Sequence, residues 1–85
     1  MAYSIFFTHA AEGQFKKLKD AKLKERIASA LEYISDEPFI GKPLQGEFKG
    51  NYSYRIGDYR IIYVFVKEKS ALTIVRIEHR KDVYR

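Results

Sequence analysis

Cysteine is absent from the chain, which excludes disulfides, thiolate catalysis and cysteine-based zinc sites. Small secreted domains usually need disulfides for their stability, so the absence of cysteine favours the reducing cytoplasm. The longest mainly apolar stretch covers residues 60–66 and is too short to cross a membrane. The first residues also lack the basic region that opens a signal peptide. We therefore expect a cytoplasmic protein that does not enter membranes.

The chain is also short, at 85 residues, which is the length of one domain spanning residues 1–85. A domain of this size buries only about 60–65% of its unfolded surface, so its core is thin. Tryptophan is missing, and seven Tyr and six Phe must supply much of the buried area. Hydrophobic residues still make up 46% of the chain, which favours a folded domain over disorder.

Acidic residues are scarce in the second half of the chain. Residues 49–85 hold nine Lys or Arg and four Asp or Glu, whereas residues 1–48 hold seven of each. The whole net charge of +5 therefore falls in the C-terminal part. A one-sided basic surface is typical of nucleic-acid binding, although lysine can also serve solubility alone.

Apolar periodicity and capping residues predict an α+β fold with the order β-α-α-β-β-β. Thr8 and Asp20 are good N-caps for a short helix and a longer one. The predicted elements are a strand at 2–8, helices at 9–20 and 21–38, a loop at 39–51, and strands at 52–56, 59–66 and 71–77. We expect a small, twisted, mainly antiparallel four-stranded sheet with both helices packed on one face.

A two-residue hairpin at Gly57-Asp58 would place Arg55 directly opposite Arg60. Cross-strand partners share a face of the sheet, and like charges in such a pair repel. Neither guanidinium can lose its proton at a useful pH. Either both heads turn away into water, or an anion binds between them.

The basic C-terminal tail is expected to join this pair of arginines. A regular hairpin would pair Val66 with Ala71 and Arg60 with Ile77, unless an irregular turn shifts the register by one residue. The tail residues His79, Arg80, Lys81 and Tyr84 would then emerge at the same rim. Guanidiniums bind phosphate and tyrosine rings stack on bases, so this combination favours RNA or single-stranded nucleic acid.

Such a site has the groups needed to cleave RNA through attack of the ribose 2′-OH on its own phosphate. Arginines would stabilise the charge on the phosphoryl oxygens, and His79 could serve as base or acid. The alternatives are a surface histidine at position 79 and a Tyr84 that only packs the chain end onto the sheet. Two histidines seventy residues apart give no metal-ligand spacing, so we expect no metal.

Two long segments resemble the RelE toxins of the RelE/ParE superfamily. They are "LQGEFKGNYSYRIGDYRIIYVF" and the ending "IVRIEHRKDVYR". The resemblance extends over nearly the whole chain, and "YRIGDYRIIY" and "HRKDVYR" are its most distinctive parts. It implies the toxin of a type II toxin–antitoxin pair that cleaves mRNA in the ribosomal A site, without a cofactor, and that is bound by a cognate antitoxin.

The resemblance also implies roles for single residues. Arg55 matches a basic residue of the family's site, and Arg60 matches the arginine that contacts the scissile phosphate. Arg80 matches the arginine implicated in transition-state stabilisation or acid catalysis. Tyr84 matches the tyrosine that stacks on an mRNA base. Further contacts to RNA are expected from Lys49, Ser53, Lys81 and Arg85.

One position departs from the family pattern. RelE toxins carry a lysine two residues before the position of Arg55, and this chain has Ser53 there. A serine cannot replace a lysine of lowered pKa as base, which leaves His79 or Glu78 to accept the proton. Two other functions stay open: inhibition of DNA gyrase, as in the ParE branch, and RNA binding with weak or no catalysis.

Overall fold

Five strands form one mixed sheet within residues 2–83, which the computed structural model describes. The strands are β1 (Ser4–Phe7), β2 (Lys42–Pro43), β3 (Tyr52–Ile56), β4 (Tyr59–Val66) and β5 (Ala71–His79). Their order across the sheet is β1-β5-β4-β3-β2, with β1 parallel to β5 and the other pairs antiparallel. The α+β prediction and the predicted order of the main elements are confirmed.

Both predicted helices form, and both begin at the predicted caps. Helix α1 covers His9–Lys16 and helix α2 covers Ala21–Asp36, while a four-residue helix α3 (Arg80–Val83) follows the last strand. The Thr8 hydroxyl accepts a hydrogen bond from the Ala11 N–H at 3.1 Å. The Asp20 carboxylate accepts from two backbone N–H groups at 3.0 and 3.2 Å. These caps satisfy amide groups that a helix start leaves without partners.

The two helices pack on one face of the sheet and form the core there. Alternate residues of each strand point to opposite faces. The helix-side residues are Ile56, Ile61, Tyr63, Leu72, Ile74 and Ile77, which meet Ile27, Leu31 and Ile34 of α2. The opposite side of the sheet, here called the open face, carries Ser53, Arg55, Arg60, Arg76 and Glu78 by the same alternation. Ile62 is fully buried on the open face between its cross-strand partners Ser53 and Arg76.

The predicted pairing of Arg60 with Ile77 is wrong, because β5 contains a bulge. Val66 pairs with Ala71 as predicted, but the register shifts between Ile62 and Tyr63, and Arg60 pairs with Glu78. A one-residue shift moves every later side chain to the other face. This shift places the Ile77 side chain in the core and the Glu78 side chain on the open face.

Helix α1 holds this bulge in place. The Thr8 hydroxyl donates to the carbonyl of Val75, the residue left out of the pairing, at 2.7 Å. The Gln14 side-chain oxygen accepts from the Ile77 N–H at 2.7 Å. The carbonyl of the unpaired residue Val75 therefore gains a side-chain partner, and a second bond fixes the strand just beyond the bulge.

The expected four-stranded sheet is a five-stranded one, because the predicted loop at 39–51 contains β2. This two-residue edge strand pairs Lys42 with Ser53 and Pro43 with Tyr52. Proline lacks an N–H, but an edge strand tolerates it. The rest of the loop contains two 3₁₀ turns, Pro38–Ile40 and Gly46–Phe48.

Candidate nucleic-acid interface

A basic cleft lies at the end of the sheet where β3 turns into β4. It has a volume of ≈ 330 Å³ and is lined by Lys42, Ser53, Arg55, Asp58, Tyr59, Arg60 and Arg80. Four of these seven residues are cationic, and they come from β2, β3, β4 and α3. The fold thus gathers positive charge from four separate elements into one concave surface, which suits a polyanion.

The turn at Gly57-Asp58 sets the geometry of this end of the sheet. Gly57 has φ +56°, which a glycine at the first turn position adopts without a steric penalty. Ile56 pairs with Tyr59 and Arg55 with Arg60, so the predicted pairing of the two arginines is confirmed.

Separate partners relieve the repulsion between these two arginines. The Arg55 Nε donates to the carbonyl of Gly57 at 3.3 Å, which directs this side chain toward the turn. The Arg60 Nη2 lies 3.3 Å from Oε1 of Glu78, on the opposite neighbouring strand. The two guanidiniums are therefore directed apart, and both still line the cleft.

Glu78 anchors two arginines on the open face. Its side chain is only 11% exposed, and its second oxygen, Oε2, lies 3.3 Å from Nε of Arg76. A charge-assisted contact of this kind is stronger in a partly buried site than on an open surface. Because both carboxylate oxygens are engaged, Glu78 orients Arg60 and is poorly placed to accept a proton from a ligand.

Arg80 is held in the cleft by the same hairpin turn. Its backbone N–H donates to the Asp58 carbonyl at 2.6 Å, and its Nη1 lies 3.9 Å from the Asp58 carboxylate. Both side chains are more than half exposed, so this ion pair is weak and an anion can compete for the guanidinium.

His79 lies on the helix side of the sheet, away from the arginines. It pairs with Tyr59 across the strands, and the two rings meet edge to face at 4.8 Å. Its Nδ1 accepts a hydrogen bond from the Lys81 N–H at 3.0 Å. The residues that surround it form a different groove, which reaches the start of α2. His79 therefore does not join the other predicted site residues in the cleft.

The remaining predicted residues are distributed as follows. Ser53 lies in the cleft, while Lys49 and Lys81 are exposed outside it. Tyr84 and Arg85 lie outside the described residues. Lys42 and Asp58 line the cleft but were not predicted as site residues. The turn position of Asp58 was a usable signal, whereas Lys42 sits in a segment with no strand pattern.

Three further observations complete the description of residues 2–83. Among the side chains that the structure describes, no three His, Asp or Glu residues are placed to hold a metal ion. Burial raises the pKa of the Tyr63 hydroxyl above its usual value, although the Gly41 N–H opposes this effect. In residues 2–83, no helix is both long and apolar enough to span a membrane.

Comparisons with known proteins identify the family of this chain. Residues 5–84 match the family model for the ParE toxin of the type II toxin–antitoxin system parDE. Toxin RelG of Mycobacterium tuberculosis is 37% identical over 86 residues, covering 100% of this chain and 99% of RelG. The toxin–antitoxin complex RelBE2 of the same organism contains a chain with a TM-score of 0.84 and 32% identity, covering 94% of this chain and 93% of that one.

A more distant structure shares the fold alone. The intact RelBE toxin–antitoxin complex of E. coli gives a TM-score of 0.79 at 23% identity, covering 92% of this chain and 96% of the matched one. The family model and RelG both span nearly the entire chain, so the resemblance is not limited to one motif. This chain belongs to the RelE/ParE superfamily of toxins from type II toxin–antitoxin systems.

Proposed function

We propose that this toxin is an endoribonuclease that cleaves translated mRNA in the ribosomal A site and so stops translation. The observation that carries the proposal is the cleft that gathers Arg55, Arg60 and Arg80. Three guanidiniums on one concave surface suit a substrate whose charge increases at a phosphate during the reaction. The resemblance to the RelE toxins supports the same activity class, and the relatives of this chain include Toxin RelG and Toxin RelE.

The cleft residues divide the chemistry between them. The 2′-OH attacks the adjacent phosphorus, a 2′,3′-cyclic phosphate forms, and the bond to the 5′-oxygen of the next nucleotide breaks as that oxygen takes a proton from solvent. The arginines stabilise the extra charge on the phosphoryl oxygens. The hydrogen bond from the Arg80 N–H to the Asp58 carbonyl supports a share of this role for Arg80. Asp58 is the carboxylate that lines the cleft within residues 2–83, and we assign it the proton of the 2′-OH.

The partners follow from the same proposal. The ribosome presents the mRNA, and a cognate antitoxin binds the toxin, as in the solved toxin–antitoxin complexes of its relatives. A groove between α2 and β3, lined by Tyr33, Tyr54 and Ile56 among others, could receive an amphipathic helix of such an antitoxin.

The activity is tested by inducing the protein in cells and mapping the 5′ ends of mRNA. We expect cuts in phase with codons in translated regions. Arg80→Ala should reduce cleavage by about 10²- to 10³-fold, the usual cost of removing one donor that stabilises the transition state. Asp58→Asn should reduce the rate while ribosome binding persists. Arg26→Ala, an exposed arginine on α2, should cleave normally.

Two outcomes would replace the proposal. The match to the ParE family model makes gyrase inhibition the second candidate, and a supercoiling assay with purified protein tests it. Inhibition of supercoiling with intact mRNA would favour that function. Salt-sensitive RNA binding without cleavage products on translating ribosomes would indicate a binding protein that has lost its chemistry.

A further inference from the structure

Lys42 is a fourth cation of the cleft, and it comes from a strand that the sequence pattern did not reveal. It is exposed and lines the same surface as Arg55, Arg60 and Arg80. Each of the arginines has a polar partner in the protein. Within the part of the chain that the structure describes, the Lys42 ammonium forms no ion pair. It is therefore available to an anion.

The backbone around Lys42 is fixed on both sides. On one side, the Gly41 N–H donates to the Tyr63 hydroxyl at 2.9 Å, and this hydroxyl donates to the Pro38 carbonyl at 2.7 Å. On the other side, the Leu44 N–H donates to the Asn51 carbonyl at 2.9 Å. A Cβ at position 41 would collide with the Tyr63 ring, so this close approach requires glycine. The core thus holds the short strand in place.

Lys42 is also the direct cross-strand partner of Ser53. Directly paired residues share a face, with Cβ atoms about 4.5–5.5 Å apart, so a long side chain at one position reaches the space above the other. Ser53 contributes a neutral hydroxyl to the cleft and Lys42 contributes the charge. The ammonium is a compact charge on a flexible stem, which allows it to follow a phosphate.

We propose that Lys42 binds the RNA phosphate and supplies, from β2, the positive charge that position 53 lacks. This inference rests on the proposed ribonuclease function. In this role the Lys42 ammonium stabilises the phosphoryl oxygens, while the proton of the 2′-OH goes to Asp58. Strand β2, which adds only two residues to the sheet, then serves mainly to place this one side chain.

The first test compares Lys42→Ala, Lys42→Arg and Lys67→Ala in a reconstituted translation assay. Lys67 lies in the 3₁₀ turn after β4, at the opposite end of that strand, and removing it changes the net charge equally. We expect Lys42→Ala to cleave about 10²-fold more slowly, Lys42→Arg to retain most activity, and Lys67→Ala to match the wild type. Equal rates for the two alanine variants would overturn the role of Lys42.

The second test moves the charge across the strand pair. In the double variant Lys42→Ser with Ser53→Lys, the ammonium starts from β3 but reaches the same space. We expect it to recover at least tenfold of the activity that Lys42→Ala loses. A double variant as slow as Lys42→Ala, with an unchanged thermal unfolding curve, would mean that Lys42 acts through something other than its charge in the cleft.

Equilibrium binding separates this inference from the proposed function. A short single-stranded RNA is titrated over a range of salt concentrations, which requires no cleavage. Each lost phosphate contact should reduce the slope of log K against log salt by about 0.7, so Lys42→Ala should show the smaller slope and Lys67→Ala should not. A wild type that neither cleaves nor binds RNA would overturn both proposals. A wild type that cleaves, with Lys42→Ala unchanged in both assays, would overturn this one alone.

Discussion

Tyr63 connects the core to the cleft through one hydroxyl group. It is the largest fully buried side chain among the described residues, yet its hydroxyl both donates to Pro38 and accepts from Gly41. A buried hydroxyl with two partners stabilises the fold, and the same bonds fix the chain just before Lys42. Tyr63, which the sequence pattern assigns to the core, therefore also positions Lys42 of the cleft.

Tyr63→Phe should destabilise the protein and change its response to alkaline pH. It leaves the Pro38 carbonyl and the Gly41 N–H unpaired, so unfolding at neutral pH should become easier by about 1–3 kcal/mol. Because burial raises the pKa of Tyr63, the unfolded chain loses this proton first as pH rises. In the wild type, the stabilisation that the Tyr63 hydroxyl provides should therefore persist below about pH 10 and be lost above that value.

Urea unfolding at pH 7 and near pH 11 measures both effects. The stability difference between wild type and Tyr63→Phe should narrow at the higher pH. Tyr33→Phe is the control, because Tyr33 is 48% exposed and the change keeps its ring contact with Tyr54. A gap between wild type and Tyr63→Phe that stays constant with pH would contradict the assignment.

The helix α3 begins at Arg80, whose guanidinium we assign to the proposed reaction, and His79 caps this start. The His79 Nδ1 accepts a hydrogen bond from the Lys81 N–H, and the Arg80 N–H donates one to the Asp58 carbonyl. His79 is therefore a positioning residue for Arg80 in the proposed reaction. This role also explains why a histidine close to the arginines in sequence lies outside their cleft.

Comparing His79→Asn with His79→Ala separates capping from proton transfer. Both variants lose the ring contact with Tyr59, but only asparagine keeps a side-chain acceptor for the helix start. A cap contributes about 1 kcal/mol, so we expect roughly fivefold slower cleavage for His79→Ala and near-normal cleavage for His79→Asn. If both variants lost all cleavage, His79 would be acting as an acid or base. The assay is the same reconstituted translation system.

The elements were predictable from sequence wherever periodicity and caps agreed. Thr8, Asp20 and the Gly57-Asp58 turn each formed as expected, and with them the pairing of Arg55 with Arg60. The bulge in β5 had a readable signal: the large apolar residues Leu72 and Ile74 occupy even positions, but Ile77 is odd. This change of phase requires one extra residue, and counting a regular hairpin overlooked it.

The cleft was less predictable than the elements, because it depends on contacts between distant segments. Strand β2 has only two residues, one of them proline, and it forms because Tyr63 fixes Gly41 from inside the core. Because no local sequence pattern indicates this contact between Tyr63 and Gly41, Lys42 was not predicted as a cleft residue. The position of Glu78 between Arg60 and Arg76 likewise depends on the bulge. The order of residues in the tail does not indicate it.

At the scale of the molecule, the two faces of the sheet have different tasks. The helix side holds the core, and the open face carries the cleft with its positive charge. The net charge of +5 arises entirely from residues 49–85, which include β3, β4, β5 and the start of α3. Such a field attracts polyanions at long range and weakens with salt. A protein that neutralises the toxin through this surface is therefore expected to present acidic groups to it.

We expect the product of a small adjacent gene to bind this toxin through an acidic segment that covers the cleft. When the two chains are co-expressed with an affinity tag on the partner, they should elute together. Cleavage of mRNA should then stop. Because a ligand that binds only the folded state stabilises it, the toxin should also unfold at a higher temperature in the complex. Lys42→Ala and Arg80→Ala should weaken the complex more than Lys67→Ala, since only the first two line the cleft. A toxin that elutes alone, or a complex equally strong in all three variants, would show that the partner does not use the cleft.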